Sequence, residues 1–322
     1  MDAIVLAGGY ATRLWPITRH RPKMLLPIGD STVIGTVFDA LEAEPRIDDV
    51  FVSTNRRFEQ EFKAYLSEKS YTKPRLTVEN AGSESEKPGV VSAIGQLVER
   101  EGLSDDTLIL AGDNLMNFAL GEFLDAFEAT GDPTIAAHDI GSYERASSYG
   151  LIELDGSDAV VGFQEKPDTP KSTLVSVACY AIPGETLPLF GAYLSGENNP
   201  DEPGWFIQWL QERDTVRAFT FEEAWFDIGT PGSYLDAVSW RLGGDNYVSP
   251  SASVERSELA GNVHVMEGAT VTDATLESSV VFPGATIRGS ELRRSIIDQD
   301  TDVESLTLSS AVVGPHTQLN GR

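Results

Sequence analysis

The sequence is poor in the residues that most often announce chemistry, with one cysteine and four histidines in 322 residues. A single thiol excludes an internal disulfide, and the apolar run 175–182 around Cys179 predicts a buried strand in which the thiol serves packing. His20, His138, His264 and His316 stand singly, so no histidine metal spacing or catalytic dyad can be read, and surface or capping roles are expected. No apolar run approaches the length of a membrane span, and the first strand has neither a charged leader nor a cleavage site. A soluble, cytoplasmic chain without membrane contact is therefore expected. Lysine is scarce as well: only Lys23, Lys63, Lys69, Lys73, Lys87, Lys166 and Lys171 occur. Fifty acids against 24 bases give a net charge of −26. The acids are dispersed along the chain, so the surface repels nucleic acid and repels itself, which points to a high-salt cytoplasm where screening relieves the repulsion. A lysine kept inside a motif then carries added weight.

What is present begins at the N-terminus. The apolar strand 1–7 runs into Gly8-Gly9-Tyr10-Ala11-Thr12-Arg13-Leu14-Trp15-Pro16, followed by Arg21-Pro22-Lys23-Met24-Leu25-Leu26-Pro27-Ile28. A buried-type strand ending in paired glycines brings backbone N–H groups to a sheet edge, where no side chain keeps a phosphate away. Arg13 and Lys23 add fixed positive charge, so the segment reads as a polyphosphate site. Neither G-x-G-x-x-G nor G-x-x-x-x-G-K-[ST] is present, which excludes the dinucleotide fingerprint and the P-loop. Pro16 and Pro22 forbid a long helix here, so the loop must meet its ligand as irregular backbone.

Downstream, strand and helix patterns alternate as in a mostly parallel sheet with helices on both faces, an α/β fold. From about Gly243 the rhythm changes to aliphatics every five or six residues, with Val271, Ile287, Val303 and Leu319 sixteen apart. Three short faces per coil with one inward aliphatic each is the period of a hexapeptide β-helix. The division expected from the pattern is 1–242 for the α/β domain and 243–322 for the β-helix.

Two acids stand where buried strands end beside small residues: Asp113 in Gly112-Asp113-Asn114, and Asp227 in Trp225-Phe226-Asp227-Ile228-Gly229-Thr230. Together they suit Mg²⁺, which takes one or two carboxylates plus phosphate oxygens and water. Alternatively, Asp113 caps the helix near Leu120 and Asp227 the helix at Pro231. Gln164-Glu165-Lys166-Pro167 is a further patch; a surface Glu–Lys pair is ordinarily a solvated face, but lysine is rare in this chain.

Leu6-Ala7-Gly8-Gly9-x-x-Thr12-Arg13-Leu14-x-Pro16-x-Thr18 with Pro22-Lys23-x-x-x-Pro27-Ile28 resembles the signature of the sugar-nucleotide pyrophosphorylases, over roughly residues 1–240. The resemblance is strongest to glucose-1-phosphate thymidylyl- and uridylyltransferases. It implies a Rossmann-like nucleotidyltransferase domain with a C-terminal left-handed β-helix. It also implies transfer of a nucleotidyl group from an NTP (dTTP or UTP favoured) to a sugar 1-phosphate (glucose 1-phosphate favoured), with Mg²⁺ and release of pyrophosphate. By this resemblance Leu6, Ala7, Gly8, Gly9, Thr12, Arg13, Asn80 and Gly89 bind the nucleotide. Asn114, Gly150, Glu165, Lys166 and Tyr180 hold the sugar phosphate, although core packing is an equal account of Tyr180. Asp113 and Asp227 hold the metal, and Arg13, Lys23 and Lys166 serve the reaction. Ala11 departs from the pattern: the family has glycine in this slot, and alanine resists positive φ. The segment 198–206 also departs, lacking the Glu-Ile-Thr-Asp of the best-known thymidylyltransferases. The competing readings are a GTP-dependent mannose-1-phosphate guanylyltransferase and, from another class, a β-helix acyltransferase. The chain is expected to form a homo-oligomer.

Overall fold

The computed structural model describes residues 1–79 and 89–321. Compact packing divides them into two units, one of residues 1–8 and 37–225, the other of 9–36 and 226–322. The change of rhythm at 242/243 is thus a division of pattern, while compaction draws its line elsewhere. The glycine loop and the helix Pro231–Leu242 fall in the same unit as the β-helix.

The first unit is built on a nine-stranded sheet. Its strands are β1 Asp2–Leu6, β2 Val50–Asn55, β3 Pro74–Glu79, β4 Thr107–Ala111, β5 Thr134–Asp139, β6 Gly150–Leu154, β7 Val160–Glu165, β8 Leu174–Ile182 and β9 Arg217–Phe221. β3, β2, β1 and β4 lie side by side and parallel. β8 then runs antiparallel to β4 and, further along its length, to β6 and β5. Antiparallel β7 completes one edge, and β9 pairs with β5 in parallel. Ala3, Ile4 and Val5 of central β1 are wholly buried, as a strand covered on both faces requires. Ile4, Ile109 and Tyr180 from the sheet pack with Val91, Ile94 and Leu97 of the helix Val90–Glu101 and with Phe190 and Phe206. Each such large side chain contributes about 1.5–3 kcal/mol by leaving water. Cys179 is wholly buried in β8, where burial pushes its thiol up.

The second unit carries a parallel β-helix of three faces. Its first face stacks Tyr247–Val248, His264–Val265, Val280–Val281, Ile296–Ile297 and Val312–Val313, a repeat of 16 residues after a first step of 17. Val271, Ile287, Val303 and Leu319 pair in sequence on the second face and pack inward. Corners turn through left-handed residues that are mostly not glycine, such as Asp273, Arg294, Ser305 and His316. Corner serines offset part of that cost: Ser295 Oγ donates to Arg293 O and accepts from Ala311 N one coil on. His264 is buried rather than superficial. It packs edge-on against Tyr247, and burial lowers it to about 4, so it is neutral.

Among the described residues no helix is long and apolar enough to cross a membrane.

Candidate active site

In the first unit the parallel strands end along one edge, the usual place for a ligand in such a sheet. Leu6 closes β1, and its carbonyl accepts from Gly112 N at 2.9 Å, so the turn that bears Asp113 after β4 lies directly beside the end of β1. Ala7 is wholly buried and donates to Ser53 O at 2.7 Å. Asn55 Nδ2 donates to Gly8 O at 2.9 Å, holding the chain as it leaves the sheet. A Cβ on Gly8 would lie 3.0 Å from Glu79 Oε1, itself bonded by Ser53 Oγ at 2.8 Å. Glycine here lets the backbone run against the carboxylate that ends β3.

Asn114 is held from two sides. Its Nδ2 donates to Asp113 Oδ1 at 3.1 Å, and its Oδ1 accepts from the buried Trp225 Nε1 at 2.6 Å. Trp225 in turn meets Tyr149 edge-on, ring centroids 5.0 Å apart. Asp113 is not a helix cap: Ala119 stands at the start of the helix Leu120–Thr130, which has no side-chain cap.

Gly150, Glu165, Lys166 and Tyr180 come together around the β6–β7 pair. Gly150 and Glu165 are register partners, and Lys166 N donates to Tyr149 O at 3.1 Å. A Cβ on Gly150 would stand 2.6 Å from Phe163, and one on Gly204 only 1.7 Å from Glu165 Oε2. Both glycines therefore serve to seat the Glu165 carboxylate. That side chain is 6% exposed. Burial pushes its carboxyl up to about 7, Lys166 opposing and Glu202 adding to the rise. Lys166 Nζ lies 4.0 Å from Glu165 and pairs closely with the Glu202 carboxylate. Tyr180 is buried behind them, and burial pushes its hydroxyl up.

Glu202 is the residue that sequence reasoning passed over, though it lies within the anomalous segment 198–206. Its loop is fixed by main-chain contacts: Tyr193 Oη donates to Asn199 O at 2.7 Å, and Val91 N to Pro200 O at 2.9 Å. Gly89 has φ 85, and a Cβ there would fall 2.4 Å from Pro200 O, so both conformation and space demand glycine. The expected base contact Asn80 lies outside the described residues.

In the second unit the glycine loop has only short turns, Thr12–Leu14 and Lys23–Leu25. Ala11 adopts φ 51, ψ 46, the left-handed conformation that glycine takes freely. Its carbonyl accepts from Thr18 Oγ1 at 2.8 Å and from Leu14 N at 3.0 Å, which pins it there. A Cβ on Gly9 would lie 3.7 Å from Lys23 Cε, so the lysine stem runs beside Gly9. Arg13 and Asp227 meet at Gly229: a Cβ there would stand 3.2 Å from Arg13 Nη2 and 3.8 Å from Asp227 Oδ1. Asp227 is not the cap of the following helix. Thr230 takes that place, accepting from Ser233 N at 3.1 Å in a capping box. Among the described residues no group of three or more His, Cys, Asp or Glu gathers as a metal site. The donors that are present, carboxylates at loop and strand ends, are the hard oxygens that suit Mg²⁺ completed by phosphate and water.

Residues 2–241 match the family model described as nucleotidyl transferase. A Methanocaldococcus jannaschii protein named bifunctional protein GlmU is 25% identical, with 84% of this chain and 61% of that protein covered. The chain thus spans less than two thirds of that relative. A Sulfolobus acidocaldarius protein assigned by name as a mannose-1-phosphate guanyltransferase is 27% identical over 87% of this chain and 76% of its own length. A glucose-1-phosphate thymidylyltransferase from Streptomyces griseus is 28% identical over 97% and 88%. Among solved structures, a Bacillus anthracis protein described as a glucose-1-phosphate thymidylyltransferase, in complex with sucrose, matches with a TM-score of 0.65. That match covers 75% of this chain and 95% of that one at 20% identity, a likeness of fold.

Proposed function

This chain belongs to the nucleotidyl transferase family, and we propose that it transfers a nucleotidyl group from an NTP to a sugar 1-phosphate, giving an NDP-sugar and pyrophosphate. The pair we favour is dTTP or UTP with glucose 1-phosphate, on the strength of the N-terminal motif and Trp225–Thr230. The observation that carries the reading is the meeting of Arg13 and Asp227 at Gly229, a cation and a carboxylate brought to one bare stretch of backbone. Such a pairing suits a phosphate chain and its counter-ion.

In this reading the phosphate oxygen of the sugar 1-phosphate attacks the α-phosphorus of the NTP in line, the α–β bridging bond breaks, and pyrophosphate leaves. Phosphate is already a competent nucleophile, so the protein's part is positioning and charge stabilisation. Leu6, Ala7, Gly8, Gly9 and Thr12 shape the nucleotide side, with Gly89 near the base. Arg13 holds the triphosphate and the leaving pyrophosphate, and Lys23 offsets negative charge as the bond breaks. Lys166 aligns the nucleophile. It must first exchange Glu202 for the incoming phosphate, while Glu165, Asn114, Gly150 and Tyr180 face the sugar. Asp113 and Asp227 would hold Mg²⁺, which supplies charge neutralisation on the phosphates when bound.

The test is pyrophosphate release in molar KCl, the medium that a net charge of −26 favours. The grid should cross five NTPs with several sugar 1-phosphates, including GTP with mannose 1-phosphate, and carry an acetyl-CoA arm. Release with one preferred pair is expected, and Arg13→Ala, Lys166→Ala and Asp113→Ala should each lower turnover by about a hundredfold or more. Silence across the whole grid, or full turnover in all three variants, would sink the assignment.

A further inference from the structure

One position per coil follows the first face of the β-helix: Ser249, then Met266, Phe282, Asp298 and Gly314, as the pairing of Val248, Val265, Val281, Ile297 and Val313 fixes. Met266 and Phe282 are buried apolar residues. Asp298 breaks the repeat with a carboxylate that is wholly buried and whose Oδ2 meets no hydrogen-bond partner. Its Oδ1 accepts from Arg21 Nη2 and from Gln299 N, each at 2.8 Å. Arg21 Nη2 also donates to Gln299 Oε1 at 3.1 Å, and the guanidinium lies 4.6 Å from the centre of the Phe282 ring. One coil on, Gly314 lies against Pro16 of the same loop, where a Cβ would come within 3.0 Å. The column thus forms a seat for the glycine loop.

A buried ion pair is a poor way to gain stability, because desolvating both charges costs about as much as their attraction returns. Burial holds the Asp298 carboxyl above its ordinary range despite Arg21, and an apolar residue would have continued the column. What the pair supplies is geometry. Arg21 is followed by Pro22, whose ring fixes φ, and then by Lys23. Leu25 N donates to Pro22 O at 3.1 Å and Leu26 N to Lys23 O at 3.0 Å, so Lys23 sits at the start of a closed turn. Fixing the guanidinium fixes where that turn begins.

We propose that Asp298 is a positioning residue: through Arg21 it sets the Lys23 turn, and the β-helix is the seat on which the phosphate-handling loop is held. The proposal rests on the reading of Lys23 as an active-site cation. The full-length chain is tested as Asp298→Asn, Arg21→Gln and the double variant. In Asp298→Asn, kcat falls by about tenfold or more with both KM values nearly unchanged, and the double variant is no slower than the slower single one. Independently of turnover, the Leu25 and Leu26 amides exchange with solvent about tenfold faster in Asp298→Asn, while amides of the β-helix interior keep their protection. Wild-type exchange at Leu25 and Leu26, effects that multiply in the double variant, or loosening throughout the β-helix would each overturn the proposal. If Asp298→Asn does not fold, Arg21→Gln carries the same readouts. Absence of pyrophosphate release by the wild type would remove the transferase reading, and the exchange experiment would still decide whether Asp298 orders the turn.

Discussion

Gly150, Glu165 and Tyr180, assigned to the sugar phosphate, and Arg13 and Lys23, assigned to the triphosphate, are held by opposite means. Gly150, Glu165 and Tyr180 lie on β6, β7 and β8, where ladder hydrogen bonds fix the backbone and the side chains need only pack. Arg13 and Lys23 lie on irregular chain whose order comes from scattered anchors. Thr18 bonds back to Ala11, Tyr234 Oη donates to Pro27 O at 2.7 Å, and Arg21 reaches Asp298. A strand-borne site is as accurate as its ladder, whereas a loop-borne site is only as accurate as contacts made by residues remote in sequence.

The comparison can be broken on either side. The largest effect is expected from Gly204→Ala, whose new Cβ would fall 1.7 Å from Glu165 Oε2. Because the ladder cannot yield, the carboxylate must leave its seat, and kcat/KM for the sugar 1-phosphate should drop about a hundredfold with the KM for NTP unaltered. Steady-state kinetics with each substrate varied in turn would show it; an unaltered sugar term would mean this half of the site is more pliable than the loop.

Next in size is Glu165→Gln. The Glu165 carboxyl is raised from 4.5 to about 7, chiefly by burial. Below about pH 4.5 the folded and unfolded chains bind its proton alike. As pH rises from there to 7 the unfolded chain gives the proton up first, so the group subtracts from stability, and above 7 the full cost stands. Replacing it should stabilise the protein by roughly 1–3 kcal/mol at pH 8 and by almost nothing at pH 4.5. Calorimetry at the two pH values would measure this, and an equal gain at both would locate the effect elsewhere.

The smallest effect belongs to the loop. Ala11→Gly should relieve the left-handed alanine and stabilise the fold by about 0.5–1 kcal/mol, raising the melting temperature by about 2 °C. A loss of stability would mean that the stiffness of alanine matters more than its strain.

Much of the fold was legible because it follows from near neighbours. The buried strand around Cys179 and the sixteen-residue aliphatic repeat stand in the structure where the pattern put them. The left-handed corners at Asp273 and Arg294 were not legible, since no glycine marks them and serine-capped stacking of coils makes them tolerable. At Asp113 and Asp227 the pattern left capping and metal binding open. The observed caps, Thr230 at one helix and none at the other, take away the capping account. Glu202 gave no signal by residue type, because a surface glutamate means nothing until a lysine is found beside it.

By itself, then, the sequence determined the elements, the repeat length and the glycine loop whose prolines forbid a long helix, all consequences of backbone preference and of apolar spacing over a few residues. Only the tertiary structure decided the partners. Gly204 seats Glu165, Gly229 receives Arg13 and Asp227, and Arg21 finds Asp298 across 277 positions of chain. The physical reason is that a charged group takes its meaning from what buries it and what faces it. Both are supplied by segments whose approach no local pattern encodes.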